Sequence, residues 1–104
     1  MSVIKLDEGN FDQIVTDSEK PVLIDFWAEW CRLQSTVIEK LANELEGSAT
    51  IAKLNIDESP KLAARFSVMS IPTLVAMKAG KIVGRRSGVT SKETLLDMIT
   101  SARE

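Results

Sequence analysis

The chain has one cysteine, Cys31, and no histidine in 104 residues. A single cysteine excludes any disulfide within the chain. The absence of histidine removes the commonest transition-metal ligand and every Cys–His or Ser–His catalytic pair. The five glycines are scattered at turn positions, so there is no glycine-rich phosphate loop. No apolar run approaches the ~18 residues that span a membrane, and Met1-Ser2-Val3-Ile4-Lys5 lacks the apolar stretch of a signal peptide. A net charge of -2 gives no basic excess for a nucleic-acid backbone. Arg85-Arg86 is a small basic spot that reads as solvated strand or turn surface. These absences leave a soluble, cytoplasmic protein, with no metal, cofactor, nucleic acid or membrane expected as partner.

What is present fits one compact α/β domain over residues 1–104. Hydrophobic residues make up 44% and charged residues 27%, a globular balance. Val3 to Leu6 reads as a short strand. Asn10 to about Asp17 reads as a short helix, with Phe11, Ile14 and Val15 at i, i+3 and i+4. Pro21 to Trp27 is an apolar strand. Cys31 to about Glu46 has a one-sided stripe of Leu33, Val37, Ile38, Leu41 and Leu45, with Gly47 at its end, and predicts a helix. Thr50 to Ile56 predicts a third strand. Ser59-Pro60 predicts the cap and first residue of a short helix reaching Phe66. Thr73 to Lys78 and Lys81 to Ser87 predict a hairpin around Ala79-Gly80. Thr90 and Glu93 have capping-box spacing ahead of a last helix with Leu95, Leu96 and Ile99 inward. Helix-linked strands followed by a hairpin imply a mixed sheet with helices on both faces.

On this reading Cys31 opens a helix, where the macrodipole and free N–H groups favour thiolate, the nucleophilic form. The neighbouring Arg32 favours thiolate too, while its charge in a first helical turn opposes the dipole. The alternative is that Cys31 is only a small side chain at a helix start. Asp25 stands inside an apolar strand on the side of Leu23 and Trp27. A buried carboxylate needs a partner or a raised pKa. Lys53, between apolar Ala52 and Leu54 on a neighbouring strand, is the candidate partner, and the Gln34 amide a candidate neighbour.

Val22 to Cys31 (VLIDFWAEWC), Ala52 to Asp57 (AKLNID), Ile71-Pro72-Thr73, Gly80 and Gly88 together resemble the thioredoxin family over essentially the whole chain. The resemblance implies a central mixed sheet of about five strands flanked by four helices. It implies reduction of protein disulfides through a Trp-Cys-Gly-Pro-Cys motif. It further implies an apolar peptide groove of Trp30, Ile71, Pro72 and Val89 around Cys31, a cis bond before Pro72, and an Asp25–Lys53 pair that assists the resolving cysteine. Trp27 reads as packing beneath the site. The chain departs from the motif at Arg32, Leu33 and Gln34, which replace Gly, Pro and the second Cys. Glu39 stands where relatives commonly have a helix-kinking proline, so an unbroken helix is expected there.

Thiol–disulfide exchange needs a thiolate attacker at each step. Gln34 cannot attack, so the expected activity is limited to mixed-disulfide formation at Cys31. Release then depends on an external thiol such as glutathione. The expected partners are protein or small-molecule disulfides. The expected state is a monomer that can form a Cys31-linked dimer on oxidation. The alternative is a redox-inactive binding or scaffold protein, or an active-site-loop variant, that keeps the groove.

Overall fold

The strands come first because their register decides which residues share a face. The computed structural model describes residues 3–103; Met1, Ser2 and Glu104, the ends of the expected domain, lie outside them. Five strands form one sheet: β1 (Ile4–Leu6), β2 (Val22–Trp27), β3 (Thr50–Asn55), β4 (Thr73–Lys78) and β5 (Lys81–Ser87), in the order β1-β3-β2-β4-β5. β1 and β2 run parallel to β3, β4 is antiparallel to β2, and β5 is antiparallel to β4. Every residue of β2 is buried, as a central strand covered on both faces requires.

Alternation along β2 divides the core in two. Val22, Ile24 and Phe26 pack with Phe11, Val15, Leu62 and Phe66 on one face. Leu23 packs on the other with Ile38, Leu41, Leu95 and Ile99. The first face is closed by a single π-helical turn, Asp12–Thr16, and by α2 (Pro60–Arg65). The second is closed by α1 (Ser35–Glu44) and α3 (Lys92–Arg103). The architecture is the mixed sheet with helices on both faces that the sequence implies.

Several local expectations change. The helix expected over Asn10 to Asp17 is one wide turn, in which the Asp17 N–H donates to the Asp12 carbonyl at 3.0 Å. It still delivers Phe11 and Val15 to the core. Ser59 precedes Pro60 as expected, yet its side chain makes no capping bond. Ser91, not Thr90, caps α3: its Oγ accepts the Thr94 N–H at 3.2 Å, while the Thr90 hydroxyl donates to the Gly88 carbonyl at 2.9 Å. The hairpin turn has positive φ at both Ala79 (51°) and Gly80 (77°), the primed geometry that matches strand twist. Arg85, on exposed β5, donates to the Phe66 carbonyl and to the Ser67 carbonyl (3.0 Å) past the end of α2, a fixed role beyond solvation. α1 runs through Glu39 as one element, without the proline that interrupts a ladder.

Candidate active site

The parallel pairing of β2 with β3 sets the floor of the site, and the connection from β2 to α1 sets its rim. Cys31 lies in that connection. Its N–H donates to the Ala28 carbonyl at 2.9 Å, closing a tight turn. A second turn follows, with the Ser35 N–H and Oγ both donating to the Arg32 carbonyl, at 3.2 and 2.9 Å. α1 therefore begins at Ser35, four residues beyond Cys31. This corrects the expectation of a helix opening at Cys31. A macrodipole acts mainly within its terminal turn, so neither Cys31 nor Arg32 occupies the position that argument requires. The Arg32 guanidinium lies 3.6 Å from the Glu29 carboxylate and 5.4 Å from the centre of the Trp27 ring, and Arg32 and Trp27 both line a cleft beside Cys31.

The Cys31 thiol is half-buried and points toward the Ile71 carbonyl, with Sγ 4.0 Å away. The Ile71–Pro72 peptide bond is cis. Pro72 is buried and lines that cleft with Cys31, while Trp30 (70% exposed), Leu33 (72% exposed) and Val89 (61% exposed) are open to solvent on the adjoining loops. The structure thus places Trp30, Ile71, Pro72 and Val89 on three neighbouring loops, those after β2, before β4 and after β5. Asp57, which sequence reasoning missed, accepts the Trp30 indole N–H at 3.2 Å. Its position was accessible: Trp27 and Asn55 are register partners, so the residues just after them emerge side by side.

Gln34 is 1% exposed. Its Nε2 donates to the Thr90 carbonyl at 2.8 Å, and its Oε1 accepts the Thr90 N–H at 2.8 Å. The amide therefore imitates a strand neighbour and ties the Cys31 turn to the Val89 loop. Its polar ends are thus engaged on Thr90 and not on Asp25, although both residues line the same cleft. The Gly88 N–H donates to the Pro72 carbonyl at 2.8 Å and ties the same loop to the third.

Asp25 and Lys53 are register partners, but no ion pair joins them among the described residues. Lys53 Nζ instead sits 4.9 Å from the centre of the Trp27 ring. Asp25 is 3% exposed, and its Oδ1 has no hydrogen-bond partner; neither has the buried Trp27 Nε1. Burial pushes the Asp25 carboxyl up to about 7, against a smaller downward pull from Lys53. Both residues, with Trp27, Cys31, Gln34, Glu39 and Asn43, line an open cleft of about 650 Å³ along α1.

Two outcomes follow. Gln34→Ala leaves a buried N–H and a buried C=O of Thr90 without partners, and we expect a loss of about 2–4 kcal/mol in urea denaturation, with faster hydrogen exchange at the Thr90 amide. A loss under about 0.5 kcal/mol contradicts the pairing. For Asp25, the folded chain keeps a proton between pH 3.8, its ordinary value, and about 7, where the unfolded chain has lost it. Its contribution is therefore greatest in acid, falls as pH rises through that window, and is level above it. Asp25→Leu, measured against the parent by denaturation at pH 4 and pH 8, should gain about 1–4 kcal/mol at pH 8 relative to pH 4; an equal effect at both values refutes the burial assignment.

Comparison with known proteins agrees with this geometry. The thioredoxin family model matches residues 2–101. The chain is 44% identical over 95 residues to a thioredoxin of Chlorobaculum thiosulfatiphilum, covering 88% of each chain. It is 41% identical over 102 residues to a thioredoxin of Staphylococcus haemolyticus, covering 95% of this chain and 96% of that one. A thioredoxin of Pyropia yezoensis is 42% identical over 98 residues, covering 91% and 92%. A mixed sheet built in this order, a thiol at the end of its central strand beside a proline loop, and identity of this extent lead to one conclusion: the chain belongs to the thioredoxin family, proteins of the thiol–disulfide oxidoreductase kind.

Proposed function

We propose that this chain is a monothiol thioredoxin, which forms mixed disulfides through Cys31 and depends on an external thiol for release. The observation that carries the reading is the environment of Gln34. The position that would hold a resolving thiol is filled by a buried amide with both polar ends engaged on Thr90, while Cys31 remains partly open beside an apolar surface. Cys31 attacks one sulfur of a client disulfide; a Cys31–client disulfide forms and the other client sulfur leaves as a thiol. A small thiol such as glutathione then attacks the Cys31 sulfur and frees the client. Protein disulfides are the clients this groove suits, with Trp30, Ile71, Pro72 and Val89 bracketing an extended segment. Asp25 and Lys53 keep a polar floor beneath the reacting sulfur. A reducing, thiol-rich compartment such as the cytoplasm matches this dependence.

A second reading, a groove that binds without turnover, is favoured by the number of exposed large apolar side chains: Leu33 and Met69 (93% exposed) join Trp30 and Val89. The two readings separate in an insulin-type disulfide reduction assay with reduced glutathione and glutathione reductase. We expect turnover that needs both Cys31 and glutathione and vanishes in Cys31→Ser. Turnover no faster than in Cys31→Ser, with a peptide still bound equally by both, assigns the chain to binding instead.

A further inference from the structure

We infer that the cleft along α1 is the docking site of the releasing thiol, and that it selects a low-molecular-weight thiol bearing both amino and carboxylate groups. The inference rests on the monothiol reading and adds to it the place where the second reactant binds. At about 650 Å³, the cleft falls within the range of small-molecule sites. It shares Cys31 and Pro72 with the peptide groove but none of Trp30, Ile71 or Val89. It therefore reaches the reacting sulfur from a side that a client in the groove leaves open. Displacement at a disulfide sulfur needs that arrangement, because the attacking and leaving sulfurs lie on opposite sides of the one attacked.

The walls indicate what fits. Asp25 lines the cleft but is 3% exposed, and its unpartnered Oδ1 is shielded from solvent, so the contacts that select a ligand fall to the charged groups nearer the opening. The Lys53 ammonium stands over the Trp27 ring, Arg32 lines the cleft near Cys31 with its guanidinium engaged on Glu29 and Trp27, and the exposed Glu39 carboxylate lies along the helix side. Both signs of charge in one cleft match a zwitterion better than an apolar or singly charged molecule. A carboxylate of the ligand pairs with Lys53 and its ammonium with Glu39.

The exchange balances without another reactant. The first small thiol, RSH, attacks Cys31 of the Cys31–client disulfide; the Cys31–SR bond forms, the Cys31–client bond breaks, and the client leaves as a thiol carrying the proton that RSH lost. A second RSH attacks the Cys31–SR disulfide, giving RSSR and the free Cys31 thiol. Two electrons thus pass from two small thiols to one client disulfide.

The test uses the full chain loaded at Cys31 with 5-thio-2-nitrobenzoate, whose release is read by absorbance. Initial rates are measured against rising reduced glutathione and, separately, 2-mercaptoethanol, which lacks both charged groups. We expect saturation with glutathione and a linear response to 2-mercaptoethanol. Lys53→Met and Glu39→Ala should each lower the glutathione-to-mercaptoethanol rate ratio, taken at low thiol, at least fivefold. Glu39→Ala lies on an exposed helix face and keeps the test decisive if Lys53→Met does not fold. A linear response to glutathione, or an unchanged ratio in Glu39→Ala, overturns the docking site while leaving the monothiol reading intact. Failure of any thiol to release the chromophore overturns both.

Discussion

One buried side chain holds the rim of this site together. Gln34 reaches across to Thr90, 56 residues away in sequence, and satisfies both its backbone groups at 2.8 Å. Buried backbone donors and acceptors are seldom left unpaired, so this bond pair fixes where the Val89 loop lies relative to Cys31. The groove geometry depends on it. So does the proposed chemistry, in which the same amide stands where a second thiol would attack. On the proposed monothiol reading, stability and reactivity meet at one residue: what anchors the loop also leaves the chain without a second thiol to complete an exchange.

Beneath that rim lies a cost the fold does not offset locally. Asp25 is carried into the centre of the sheet by the period-two alternation of β2, between Lys53 on one side and Leu74 on the other. Its register partner spends its charge over the Trp27 ring instead. The ring in turn has Arg32 5.4 Å from its centre, and Arg32 answers to Glu29. A chain of favourable cation–ring contacts thus links floor and rim while the carboxylate remains poorly solvated. The cleft brings solvent close to that carboxylate without exposing its unpartnered oxygen.

The sheet was legible because its signals are local. Pro21 to Trp27 and Thr50 to Ile56 are apolar runs bounded by turn residues, and each became a strand to within a residue. Ala79-Gly80 marked the hairpin for the same reason. The resemblance named the residues of the candidate site, and the structure shows how some of them are wired. Cys31 looked like a helix start because the apolar stripe began at Leu33; Leu33 proved 72% exposed, and two consecutive turns delay the helix to Ser35. Thr90 looked like a cap because its spacing to Glu93 suited one, whereas its backbone was needed by Gln34 and Ser91 took the capping role. Partner choice across 56 residues leaves no periodic trace in a sequence. Lys53 shows the same limit: pairing predicts adjacency to Asp25, and only packing decides that the ammonium prefers a ring face.

The central claim, that the chain captures a disulfide but cannot discharge it alone, is tested most directly by isolating the Cys31 mixed disulfide with a client peptide containing two cysteines blocked to one. Its intact mass is then followed over hours in thiol-free buffer and after adding glutathione. The account predicts a persistent adduct that collapses to the free chain only when the small thiol is supplied. First-order loss of the adduct at the same rate with and without that thiol would contradict it.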